Sequence, residues 1–185
     1  MTTSVHLETD QIDAGVTAAG VSPGRVGSVE LIVRRPEVDA REVLDVGELV
    51  VGRGLVGDNY VERGNPRTDD GRAHPEAQLN LMNSRYIDVL SGGDRTRWPL
   101  AGDQFFVDLD LSAANLPVGT RLRIGSAVIE VAAKPHDGCA KFGARFGIEA
   151  ARWVNRSREL RRRGLCAVVV EAGTVSAGDG IRVLE

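Results

Sequence analysis

The chain has 185 residues, 42% hydrophobic and 26% charged, the composition of a globular protein long enough to bury a sizeable core. Its net charge of −3 argues against a general nucleic-acid binder, which carries a strong basic excess. No run of about 18 apolar residues is present, so no membrane span is expected, and the N-terminal MTTSVHLETD lacks the basic and apolar regions of a secretory signal.

Residues 1–22 are small, polar and aperiodic, and read as a flexible arm ahead of a single domain over 23–185. Residues 27–33 alternate, with Val29, Leu31 and Val33 on one face, and predict a first strand. Residues 41–51 are β-prone, broken at Gly47, and lead into Gly52-Arg-Gly-Leu-Val-Gly-Asp58. Three glycines there mark a loop where backbone approaches a ligand or another strand. No Gly-Lys-Ser/Thr follows, so it is not a P-loop. Asp58 at the tip suits a turn residue that hydrogen-bonds its own backbone. Residues 62–76 are polar, with two prolines and two glycines, and form a loop of the length that functional lids or disordered segments have. His74 within it reads as a solvated loop residue, because no second ligand stands at metal spacing.

Residues 78–82 predict a short strand, Ser84 a cap for a helix over 85–90, and 98–103 a turn. Residues 104–111 alternate, with Phe105, Val107, Leu109 and Leu111 on one face. Asp103, Asp108 and Asp110 then read as solvated surface; they lack the glycine and glutamate of a calcium loop. Residues 120–124 and 127–131 flank Gly125-Ser126, a hairpin signal. Beyond Gly147 the period turns helical, with Ile148, Ala151 and Val154 on one face, and Asn155 caps a second helical stretch over 156–163 that Gly164 stops. Cys166 opens an apolar strand and is expected to be buried and inert. Gly178-Asp-Gly180 turns into a closing strand over 181–184. About seven short strands with two or three short helices, and no βαβ alternation, predict a mainly β fold, an antiparallel β-barrel.

The chemistry gathers at 134–147, Lys-Pro-His-Asp-Gly-Cys-Ala-Lys-Phe-Gly-Ala-Arg-Phe-Gly. Gly138 suits a tight turn that presents Cys139. Lys134, His136, Lys141 and Arg145 lie within a few residues of the sulfur, and nearby cations favour the thiolate. Two readings stand: a loop built to offer a reactive sulfur, or a core plug made by Phe142 and Phe146 with Cys139 filling space beside them. Without a signal peptide, Cys139 and Cys166 fit free thiols in a reducing, cytoplasmic compartment. Arg152, Arg156, Arg158, Arg161, Arg162 and Arg163 make either a solvated helix face or a phosphate-binding patch.

Gly54-Leu-Val-Gly-Asp58, Leu100-Ala-Gly-Asp-Gln104, Asn115-Leu116, residues 119–125, Pro135-His-Asp-Gly-Cys139, Gly164-Leu-Cys-Ala-Val168, Gly173-Thr-Val and Gly178-Asp run in one order over about residues 24–185. In that order the sequence resembles the MOSC domain, the C-terminal domain of molybdenum-cofactor sulfurases, as a stand-alone member. The resemblance implies a barrel of the pyruvate-kinase insert-domain type. It also implies that Cys139 is the family's sulfur-carrying or molybdenum-ligating cysteine, bound to molybdenum cofactor. On that footing Cys139, His136, Lys134 and Lys141 are the catalytic candidates, and Gly138, Arg145, Arg152, Asp58 and Asp103 are candidates for holding the cofactor. The implied partners are a sulfur donor such as a cysteine desulfurase, which alone would carry pyridoxal phosphate, and a small-molecule cofactor or substrate. Relatives such as the mitochondrial amidoxime-reducing component use the cysteine to ligate molybdenum and reduce N-hydroxylated compounds. This chain departs from many members in having Asn59 and Tyr60 where a histidine follows the Gly-Asp, and in its long 62–76 loop. A sulfur carrier, a molybdenum-dependent reductase and a non-catalytic binding module are therefore the three functions to separate.

Overall fold

The structure, a computed structural model, describes residues 6–185. Residues 1–5 of the expected arm lie outside the described residues, but 9–19 are not an arm. Thr9–Ala19 forms helix α1, whose entry is fixed by the Glu8 N–H donating to Gln11 Oε1 at 2.9 Å. Ile12 is fully buried and Val16, one turn on, is half-buried beside it. Two apolar residues make too short a stripe to register as a period, yet they suffice once another surface covers them.

The strands follow as β1 (Val26–Arg34), β2 (Glu42–Leu44), β3 (Val46–Val50) and β4 (Gly54–Leu55), then helix α2 (Tyr60–Arg63), β5 (Leu79–Asn83), helix α3 (Ser84–Leu90) and a 3-10 helix, Arg95–Ala101. After them come β6 (Phe105–Asp108), β7 (Arg121–Ile124), β8 (Ala127–Val131), helices α4 (Ala140–Phe146) and α5 (Ile148–Asn155), and β9 (Leu165–Glu171), β10 (Gly173–Ser176) and β11 (Gly180–Val183). Seven strands close a barrel in the order β1-β11-β7-β8-β9-β5-β6 and back to β1. The nine residues of β1 make the closure possible: its first part pairs with β11, its middle with β6, and its end with β2.

The barrel is mixed rather than antiparallel. β5 and β6 run parallel, because α3 and the Arg95–Ala101 helix carry the chain back to the end it came from, the crossover that parallel neighbours require. A small antiparallel sheet, β10-β3-β4, adds Leu49, Leu55 and Val175 to the barrel interior.

Two cores flank the barrel wall. Phe105, Val107, Leu109 and Leu111 point inward, as the alternation predicts. Phe106 points outward, but not to solvent: it is fully buried with Val33, Met82, Trp98 and the helices above them. Adjacent residues on one strand therefore serve opposite cores. The alternation expected of Val29, Leu31 and Val33 is broken by a register shift between Val29 and Leu31. Val29 and Ile32 face the barrel interior while Leu31 and Val33 face the helical layer.

The tail of the helical reading also changes. On α5 the buried residues are Ala150, Trp153 and Val154, and Ile148 is 62% exposed. Residues 156–163 form turns instead of a second helix, and Arg161 takes a left-handed φ of 44°. No helix among the described residues is long and apolar enough to cross a membrane.

Candidate cysteine site

The site lies at the barrel end where β1 and β8 finish and β6 and β9 begin. The ladder between β8 and β9 ends with the Ala132 N–H donating to Cys166 O at 2.9 Å. From there the chain runs free of strand partners to Cys139, which sits just before α4. The core-plug reading holds for the phenylalanines only: Phe142 and Phe146 are buried in the outer core, and Cys139 is exposed. Its Sγ makes no capping hydrogen bond.

Gly138 does not supply an unusual φ, contrary to expectation. Its role is close approach: a Cβ there would lie 2.9 Å from Val154 Cγ2 and 3.2 Å from Asn155 Nδ2. Asn155 uses that approach. Its Oδ1 accepts the Gly138 N–H at 2.8 Å and its Nδ2 donates to Gly138 O at 3.1 Å. The predicted helix cap is in fact the brace of the cysteine segment.

Cys139, Lys141 and Arg145 line a cavity of ≈ 240 Å³ together with Arg35, Arg41 and Arg63. Lys141 Nζ and Arg145 Nη2 both bond Asp39 Oδ1, at 2.9 and 3.0 Å. Among the described residues Arg41 donates only to carbonyls, those of Pro99 and Ala40. Its guanidinium is pushed down in pKa first by burial and then by the like charges of Arg145 and Arg35. Such crowding of cations leaves room for an anion to relieve it. Arg35, Arg41, Arg63 and Asn155 were not legible as site residues; they come from segments that sequence alone reads as strand ends, a polar loop and a cap.

Asp58 and Asp103 lie behind this cavity as buried anchors. Asp58 clamps Arg35, with Oδ2 to Nε and Oδ1 to Nη2, both at 2.8 Å. Its Oδ1 also accepts the Tyr60 N–H at 3.0 Å, the backbone turn expected of it. Asp103 is not solvated surface: it has no exposure, because Arg163 and His136 close over it. Arg163 Nη1 bonds both carboxylate oxygens, at 2.9 and 2.6 Å. Arg163 is therefore removed from the solvated basic face that the sequence suggests. His136 Nε2 stands 2.7 Å from Asp103 Oδ1. Burial would raise the Asp103 carboxyl, but the charges of Arg163 and His136 outweigh it and hold it at about 2. Burial, and then Arg163, push the His136 imidazole down against the pull of Asp103. With Asp103 ionised and His136 neutral, Nε2 carries the proton and Nδ1 keeps its lone pair.

The remaining candidates are scattered. Lys134 lines neighbouring cavities rather than the one at the thiol, and its Nζ bonds Pro135 O. Arg152 lies outside the site, paired with Glu149 at 2.5 Å on the exposed side of α5. Cys166 is buried, and burial pushes its thiol up to about 11. Among the described residues no group of three His, Cys, Asp or Glu could hold a metal ion.

A mixed seven-stranded barrel with an exposed cysteine after β8 defines a class that comparison identifies. The sequence model of the MOSC domain matches residues 71–182, and the chain belongs to that family. Among solved structures it is similar to the YuaD protein from Bacillus subtilis, at 19% identity and a TM-score of 0.66, over 85% of this chain and 95% of that one. It is similar also to YiiM from Escherichia coli, at 19% identity and a TM-score of 0.56, over 85% of this chain and 70% of that one. At such identities the likeness is one of fold. No curated protein sequence matches the chain.

Proposed function

We propose that this MOSC protein carries sulfur to, or holds, molybdenum cofactor, with Cys139 as the sulfur-bearing residue. One observation supports the reading above others. An exposed Cys139 thiol lines a cavity walled by crowded guanidinium groups, while the second thiol, Cys166, is buried and kept protonated. A soft sulfur beside hard cations suits a group that combines a thiophilic metal or sulfur with a phosphate.

In loading, the Cys139 thiolate attacks the outer sulfur of a donor persulfide. A new S–S bond forms at Cys139, the donor S–S bond breaks, and the donor leaves as a thiolate. No further oxidant is needed. A cysteine desulfurase, with its own pyridoxal phosphate, is the donor class, acting in a reducing cytoplasm. Neutral His136 is the base lining the same cavity, and its Nδ1 receives the thiol proton while Asp103 stabilises the imidazolium. Arg35, Arg41 and Arg145 would hold the phosphate of a bound cofactor, and Asp58 fixes Arg35 in place. Molybdenum, when bound, would supply a soft centre for the thiolate.

Intact mass and elemental analysis of protein from a cofactor-competent host test this. A one-sulfur adduct removable by reductant, or stoichiometric molybdenum with a pterin mass, is expected in the wild type and absent in Cys139→Ser. Equal loading of the variant overturns the assignment. Loading with neither leaves a binding module as the reading.

A further inference from the structure

A second cavity, ≈ 290 Å³, lies on the other side of the segment that leads to Cys139, with His136, Asp137 and Arg163 common to both. The thiol is not among its walls. The shared segment bends at Ala133 and Lys134 as it leaves β8, and the N–H groups of Ala133, Lys134, His136 and Asp137 have no hydrogen-bond partner among the described residues. Ala133 and Asp137 are exposed and Lys134 and His136 half-buried, so these donors are open to water or to a ligand's acceptor. Across from them Arg161 holds its left-handed φ of 44°, and its Nη1 donates to Leu116 O at 2.6 Å. A strained non-glycine residue at a cavity wall is a pointer to function.

The charges of the lining decide the class of occupant. Arg163 is offset by Asp103, and Arg158 faces Asp137 at 3.8 Å. Among the described residues Lys134 and Arg161 have no carboxylate partner, and burial pushes the Arg161 guanidinium down. Glu159, which forms no ion pair among the described residues, is the one remaining acid of the lining. The balance is a single positive charge. The rest of the lining is apolar, with Ala132, Val154 and Leu165 at its walls. We propose that this cavity binds a small organic monoanion, an apolar ring or chain bearing one carboxylate-like group, independently of the thiol cavity. The volume is at the small end of ligand pockets, room for one ring system. The anionic end meets Lys134 and the N–H groups of the segment, with the exposed Arg158 flanking them, and the apolar end lies against Val154 and Leu165. Asn155 lines the cavity and grips Gly138, so an occupant sits against the brace of the cysteine segment.

Amide-resolved NMR of the full chain, with benzoate and benzamidine as probes, tests the site. Benzoate is expected to give saturable shifts at Lys134, His136, Asp137 and Asn155, and benzamidine to bind about tenfold more weakly or not at all, because its charge is reversed. Arg158→Ala should weaken benzoate by about threefold, the effect of losing one exposed charge. Ala113→Trp, which fills the cavity at its wall, should abolish the shifts; Ser157→Phe does the same from another wall residue should the first variant fail to fold. Cys139→Ser should leave benzoate binding unchanged, so this proposal and the sulfur reading fail separately. No saturable shift, equal binding of the two probes, or shifts that survive both filling variants would overturn it.

Discussion

Gly57-Asp58 and Gly102-Asp103 are the same dipeptide twice, at one end of one barrel. Both glycines have left-handed φ, 80° and 92°, and both carboxylates are buried against an arginine from elsewhere in the chain. Arg35 even spans the two turns, with Nη1 donating to Gly102 O at 2.9 Å. They differ in what else reaches the carboxylate. Asp58 accepts from the Arg35 side chain and from the backbone N–H groups of Arg35 and Tyr60, all fixed donors. Asp103 accepts from Arg163 and from a titratable imidazole that lines the cavities. The motif supplies a buried anion, and the segment packed over it decides whether that anion only braces the fold or also governs a proton.

Truncation at either turn should give the largest effects. Asp58→Ala and Asp103→Ala each leave a buried guanidinium without its counter-charge, a loss of ~3–5 kcal/mol in urea unfolding. Asp103→Ala should lie at the upper end, because His136 loses its partner as well. An Asp103→Ala variant that unfolds no more readily than Asp58→Ala would remove the distinction between the two turns.

Acid should separate them next. The Asp103 carboxyl, at about 2 in the fold against an ordinary 3.8, gives stability that is full above about pH 4 and lost as pH falls through about 2. That difference is worth on the order of 2 kcal/mol. His136 is held neutral in the fold, so the unfolded imidazole binds its proton first and stability falls as pH drops below about 6.5. Arg163 and Lys134 oppose protonation of the ring and Asp103 favours it. Urea unfolding across pH should therefore show a shallow loss below neutrality and a steeper one in strong acid. His136→Gln should flatten the first part and, by removing one of the groups that hold the Asp103 carboxyl down, weaken the second. An unchanged profile in that variant would mean His136 titrates as a free imidazole and the second turn governs no proton.

These devices were partly legible before the fold was known. The Gly125-Ser126 hairpin, the inward face of 105–111 and the buried Cys166 follow from local patterns, turn residues and a two-residue period. Polar residues around Cys139 likewise set it apart from Cys166. What was missed depends on distant partners. Phe106 looks outward until the helical layer covers it. Arg163 sits in a run of arginines, and nothing local reveals a carboxylate 60 residues away. Helix α4 has seven residues with Gly143 at its middle, too short and too interrupted for a period to emerge.

The smallest effect asks which contact keeps the cysteine segment in place, the Asp103–His136 bond at one end or Asn155 at the other. Asn155→Ala removes two hydrogen bonds to Gly138 that stand in for the strand ladder the segment lacks. Both lie at an exposed surface where water replaces them, so global stability should change by ~1 kcal/mol at most. Locally the same energy is a factor of about five in opening, read as faster exchange of the Gly138 amide and faster alkylation of Cys139. His136→Gln, by contrast, should leave the Gly138 exchange rate near that of the wild type. If His136→Gln speeds it more than Asn155→Ala does, the segment takes its order from the buried aspartate, and the turn at Gly102-Asp103 positions the thiol as well as the proton.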